Sequence, residues 1–144
     1  MNSYIKLFLI LEVIKMNEKN PIGINIIGWF QILGAFAILF TLNVQQTPPF
    51  NIRFSVPFLP ELIVKICVGI FAIIIAYGYL KCLKWGYWSM LIYSILFCCI
   101  SITQINKYGV QPFIGNAIYS AIVAIYTIFH SKYYIKCNKI QEQS

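Results

Sequence analysis

Only four of the 144 residues are acidic, and one of them, Glu61, stands one helical turn ahead of a lysine, Lys65. An acid followed four residues later by a base shares a helix face with it and can pair with it. The chain is 60% hydrophobic and only 10% charged. In such surroundings a charge beside the bilayer is costly and marks a functional candidate. The competing reading is anchoring, because Lys65 lies about five residues into its helix, where a long side chain can snorkel to headgroups. Asn25, Gln31 and Asn116 are further polar candidates within apolar stretches. They could line a narrow polar pathway, or bond across helix interfaces as packing polar groups generally do.

The remaining reactive residues define little chemistry. His130 is the single histidine. With no second histidine and no carboxylate spaced to join it, an interfacial polar role is expected rather than metal binding or proton transfer. Five cysteines form no C-x-x-C pair. Cys67, Cys98 and Cys99 fall in apolar runs, whereas Cys82 and Cys137 adjoin lysines, so a disulfide framework is not expected. Adjacent Cys98 and Cys99 would project about 100° apart on a helix, a poor fit to a membrane thiol oxidoreductase. Aspartate is absent altogether, which argues against metal-assisted hydrolysis. The expectation is a protein that is not an enzyme and carries no cofactor.

The elements that hold these residues are transmembrane helices. A soluble domain of this size could not bury so much apolar surface, and the apolar residues come in runs of the roughly 20 that a 30 Å hydrocarbon core demands. Spans are expected at about 21–44, 60–81, 86–106 and 112–131. Pro21, Pro60 and Pro112 each open one at the first helical position, with Asn20 as a cap for the first. Each span carries a stripe of small or polar residues: Asn25, Gly28, Gln31 and Ala35; Gly69, Ala72 and Ala76; Ser94, Cys98 and Ser101; Asn116, Ser120, Ala124 and Thr127. One stripe per helix predicts one bundle, with Leu, Ile and Phe facing lipid. The fold class is thus an all-α membrane protein, a four-transmembrane-helix bundle.

Orientation follows from the basic residues. With both termini cytosolic, Lys6, Lys15, Lys19, Lys81, Lys84, Lys132, Lys136 and Lys139 lie inside, against Arg53, Lys65 and Lys107 at the outer surface. The formal charge of +7 is therefore read as topogenic, not as a nucleic-acid footprint. Lys81 and Lys84 hold a tight cytosolic hairpin, beside which Trp85, Tyr87 and Trp88 serve as a headgroup-level anchor. In the outer connection Ile52, Phe54, Val56 and Phe58 alternate with Asn51, Arg53, Ser55 and Pro57, which predicts an extended stretch with one apolar face. It is expected to lie on the outer membrane surface or cap the bundle. Residues 1–15 are too short and too charged to span, and are either an interfacial helix or a segment upstream of a start at Met16. The basic tail, 132–144, is expected to attach to anionic lipids of the inner leaflet.

The segments "KNPIGINIIGWFQILGAFAIL", "AYGYLKCLKWGYWSMLIYS" and "IYTIFHSKYYIK" together resemble a group of small prokaryotic integral membrane proteins with four helices and no established activity. In that group a glycine commonly stands where this chain has Cys82. The resemblance implies a multi-pass protein of the cytoplasmic membrane and carries no catalytic residue with it. In size the chain is also similar to dimeric four-helix multidrug exporters, whose coupling glutamate lies in the first span; here that span has none. The expected role is a structural, assembly or modulatory membrane component, partnered by itself or another membrane protein. The alternative is a small transporter or channel for a neutral solute, formed as an oligomer.

Overall fold

The structure, a computed structural model, describes residues 20–109 and 111–142. The expected interfacial helix within 1–15 lies outside the described residues. Among those described, every regular element is helical: α1 (Ile22–Phe40), α2 (Phe50–Arg53), α3 (Glu61–Leu80), α4 (Lys84–Tyr108), α5 (Phe113–Phe129) and α6 (Ser131–Glu142). Helices α1, α3 and α4 are long and apolar enough to cross a membrane. The 17 residues of α5 reach only about 25 Å at 1.5 Å per residue. Together with α6 as far as Cys137 it qualifies as a broken span, bent by 56° at His130.

All three prolines sit one position earlier than expected. Pro21, Pro60 and Pro112 are the residues just outside their helices. Pro21 and Pro60 keep extended ψ angles of 140° and 135°. Their carbonyls already accept the first helical bonds, from Ile24 and Asn25 in one case and Val64 in the other. Asn20 does not cap α1 either. Its Nδ2 donates to Leu80 O at 2.7 Å, and its Oδ1 accepts from Tyr133 Oη at 2.8 Å. It ties the start of α1 to the end of α3 and to α6.

Helix α1 packs along α3, α5 packs along α4, and the α3–α4 contact joins the two pairs. The small-residue stripes lie at these contacts. Gly28, Gln31 and Ala35 are buried on α1, Gly69, Ala72 and Ala76 on α3, Ser94 and Ser101 on α4, and Ser120, Ala124 and Thr127 on α5. Close approach is the reason: a Cβ at Gly28 would lie 2.5 Å from the Leu80 side chain, and one at Gly69 3.0 Å from Leu39. Ile24, Ile27, Ile75, Tyr79, Met90 and Val123 fill the interior between them. Outward, Ile22, Ile26, Leu33, Phe36 and Phe40 of α1 and Ile118, Ile122 and Ile125 of α5 are exposed. Surfaces this apolar are those a lipid environment stabilises.

The α3–α4 connection closes with a Schellman arrangement: Leu83 N–H donates to Gly78 O at 3.0 Å and Cys82 N–H to Tyr79 O at 3.2 Å. Cys82 takes the left-handed position, with φ of 55°. That conformation usually calls for glycine, which explains how the hairpin can turn in so few residues. Gly86 then lies directly on the backbone of Gly78. Trp85 and Trp88 stay about half exposed, as headgroup anchors would, but Tyr87 turns inward and its ring meets Tyr134 at 5.0 Å between centroids.

The connection from α1 to α3 differs from its expected extended form. Pro49 starts a helical turn, Phe50–Arg53, and Ser55 reverses the chain in a left-handed conformation with φ of 59°. The alternation of apolar and polar residues that suggested a strand instead gives a folded cap. Phe50 is buried, and Phe54 stacks between Phe50 and Phe97 of α4 at 5.1 Å from each. Asn51 Nδ2 holds the end of the cap by donating to Leu59 O at 2.9 Å.

Candidate functional site

A charge cluster lies beneath this cap. Lys65 pairs with Glu61, Nζ to Oε1 2.9 Å, and its side chain is only 2% exposed. The ammonium also donates to Thr41 O at 3.1 Å and Val44 O at 2.6 Å. Those carbonyls belong to the chain leaving α1, where Thr41 O also accepts from Val44 N–H and the helix dipole favours a cation. The anchoring reading therefore does not describe Lys65, which points into the protein and terminates a neighbouring helix. Glu61 in turn accepts from Phe50 N–H at 3.2 Å, so the same carboxylate fixes the cap helix α2. Arg53 completes the cluster: burial draws its guanidinium below its ordinary pKa, while the Glu61 charge acts in the opposite direction.

Gln104, which the sequence reading did not select, secures the cap from α4. Its Nε2 donates to Ile52 O at 3.1 Å and Ser55 Oγ at 2.6 Å. Its position one turn after Ser101 on the buried stripe was the available signal. Replacing Gln104 with Leu keeps the volume and removes both bonds. This should cost about 1–2 kcal/mol at roughly 1 kcal/mol per net bond, seen as faster amide exchange at Ile52 and Ser55 while the centre of α4 stays protected.

The three polar candidates within the apolar helices do not form one lining. Gln31 is buried, and its Oε1 accepts from Tyr119 Oη at a long 3.4 Å. Asn25, half-buried on the same helix, borders an open groove of about 680 Å³ with Ile22, Ile26, Trp29 and Leu33. Asn116 is half-buried on α5, its carbonyl accepting from Ser120 Oγ at 2.7 Å. The seam between α1 and α5 is instead filled by aromatic rings. Phe30 meets Tyr119 at 5.1 Å, and Gly23 leaves the space that the Tyr126 ring occupies.

At the opposite end from the cap, tyrosines dominate. Tyr79 Oη and Thr127 Oγ1 share a hydrogen bond of 3.1 Å, and Tyr134 Oη donates to Tyr79 O at 3.0 Å. Tyr134 is 2% exposed, so α6 is docked on the bundle by a buried phenol while Lys132 and Lys136 stay outside. His130 Nδ1 lies 3.0 Å from Tyr126 O, and the two rings stack at 4.0 Å. The imidazole thus stands at the bend, over the last turn of α5. Tyr134→Phe should lose about 1 kcal/mol for one neutral hydrogen bond, measurable as earlier release of α6 on heating in detergent.

Among the described residues no group of three or more His, Cys, Asp or Glu is arranged to hold a metal ion. Compared with protein-family models, with curated proteins and with solved structures, the chain matches none.

Proposed function

We propose that this chain is a four-span protein of the cytoplasmic membrane, with both termini and the Lys81–Lys84 hairpin on the cytosolic side. In this reading it acts as a non-enzymatic structural or modulatory component, assembled with a second copy or another membrane protein. The observation that carries it is the division of each long helix into a small, polar, buried stripe and a broad exposed apolar face. Packing of this kind supports a solid scaffold with surfaces for lipid and partners. The filled interior around Tyr79, Met90 and Val123, and the separation of Asn25 from Gln31 across α1, speak against a solute pathway through one chain. The eight lysines assigned to the inner side support the orientation, and Lys132 and Lys136 remain free to meet anionic headgroups.

The test is isolation of the full chain from native membranes in a mild detergent, followed by native mass spectrometry and reconstitution into liposomes. A stoichiometric complex, either a dimer or a pairing with another membrane protein, and liposomes no leakier to glycerol than empty ones are expected. Glycerol flux well above that of protein-free liposomes would reject the assembly role in favour of an oligomeric channel.

A further inference from the structure

Cys82 and Cys137 are 55 positions apart in sequence and lie on different elements, the α3–α4 turn and the tail helix α6. The fold brings them together. Cys137 packs against the buried cluster that contains Cys82, and Tyr133, one turn before Cys137 on the same helix, shares the Asn20 Oδ1 acceptor with the Cys82 thiol. Both are free thiols, Cys82 buried and Cys137 half-exposed. Asn20 Oδ1 completes the cluster, accepting from Cys82 Sγ at 3.3 Å and from the Tyr133 phenol at 2.8 Å. The other three cysteines lie elsewhere. Cys67 and Cys99 are exposed on outward faces, and Cys98 Sγ points to Ala117 O at 3.7 Å.

We propose that Cys82 and Cys137 form a redox-responsive dithiol, which a hydroperoxide converts to a disulfide that fastens α6 to the α3–α4 turn. The more accessible Cys137 thiol reacts first: its sulfur attacks the peroxide O–O bond, giving a sulfenic acid and the alcohol of the hydroperoxide, or water where the oxidant is hydrogen peroxide. The Cys82 sulfur then displaces the sulfenic hydroxyl, which leaves with the Cys82 proton as water while the S–S bond forms. The two thiols together lose two electrons, which reduce the peroxide. Burial pushes the Cys82 thiol up to about 12, which keeps it from attacking the peroxide itself and makes its closure onto the Cys137 sulfenic acid the slow step. A reduced resting state follows from the cytosolic placement proposed above, whereas the pairing itself does not depend on it.

The full chain, held in lipid nanodiscs, would be treated with hydrogen peroxide and then dissolved in SDS with an alkylating reagent before digestion and mass spectrometry. Cys82 and Cys137 should lose alkylation together and appear as one cross-linked peptide, with Cys67 and Cys99 still alkylated. In Cys137→Ser, Cys82 should stay alkylatable after peroxide. Three results would overturn the proposal: sulfinic acid at Cys137 beside a reduced Cys82, cross-links joining two copies, or both thiols unchanged. A disulfide already closed in protein freshly isolated under thiol-trapping conditions would support the pairing and contradict the cytosolic placement, which separates the two readings.

Discussion

Lys65→Met should destabilise the protein by about 3 kcal/mol, the lower end for removing one partner from a buried ion pair, because the Glu61 side chain keeps 22% exposure. Methionine matches the stem in length but supplies no charge. The Glu61 carboxylate loses its 2.9 Å partner, and the Val44 carbonyl loses the ammonium, while the Thr41 carbonyl keeps its bond from Val44 N–H. Because Glu61 also holds Phe50 N–H, the cap should loosen with the pair. The double variant Glu61→Gln/Lys65→Met should cost less than the two single losses added together, since residues in one network do not behave independently. Unfolding by SDS titration in mixed micelles, followed by far-UV circular dichroism, gives all three values. A Lys65→Met protein as stable as its parent would place that ammonium among headgroups instead.

The second large effect lies at the other end of the bundle. A Cβ at Gly86 would overlap the carbonyl group of Gly78, and backbone cannot rotate away as a side chain can. Gly86→Ala must therefore push α4 off α3. It should cost about 3 kcal/mol, the upper part of the range for overpacking. Gly34→Ala is the matched control, because its added methyl meets no atom within 4 Å. On an exposed helix face that change should be stabilising by about 0.5–1 kcal/mol through backbone entropy alone. Thermal melting of the two variants in the same detergent checks both signs, and equal melting temperatures would contradict the close crossing.

Much of the helical frame was legible, because length of apolar run and position of proline are local properties. The first three expected spans overlap α1, α3 and α4 closely, and the buried stripes fall at the positions their small residues marked. What was not legible depends on contacts between distant segments. Helix α1 ends at Phe40, short of the expected Val44, where Lys65 from α3 takes the carbonyls of Thr41 and Val44. The i,i+4 spacing announced the Glu61–Lys65 pair, but no local pattern says that an ammonium will turn inward to another helix. The cap reads as a strand by alternation and folds as a turn of helix, since Phe50, Phe54 and the Gln104 bonds outweigh a pattern only a few residues long. The fourth span was expected as one piece to Ser131. The bend at His130 and the docking of Tyr134 depend on the Tyr79 carbonyl, which no spacing within the tail could reveal.

The central claim is that the four helical segments cross lipid with the lysine-bearing hairpin in the cytosol. It is tested most directly in a chain whose native cysteines are serine, carrying either Lys84→Cys or Gln45→Cys, both at exposed positions. A membrane-impermeant maleimide applied to intact cells should label the cysteine at position 45 at once and the one at position 84 only after the membrane is opened. Labelling of position 84 in intact cells would contradict the account.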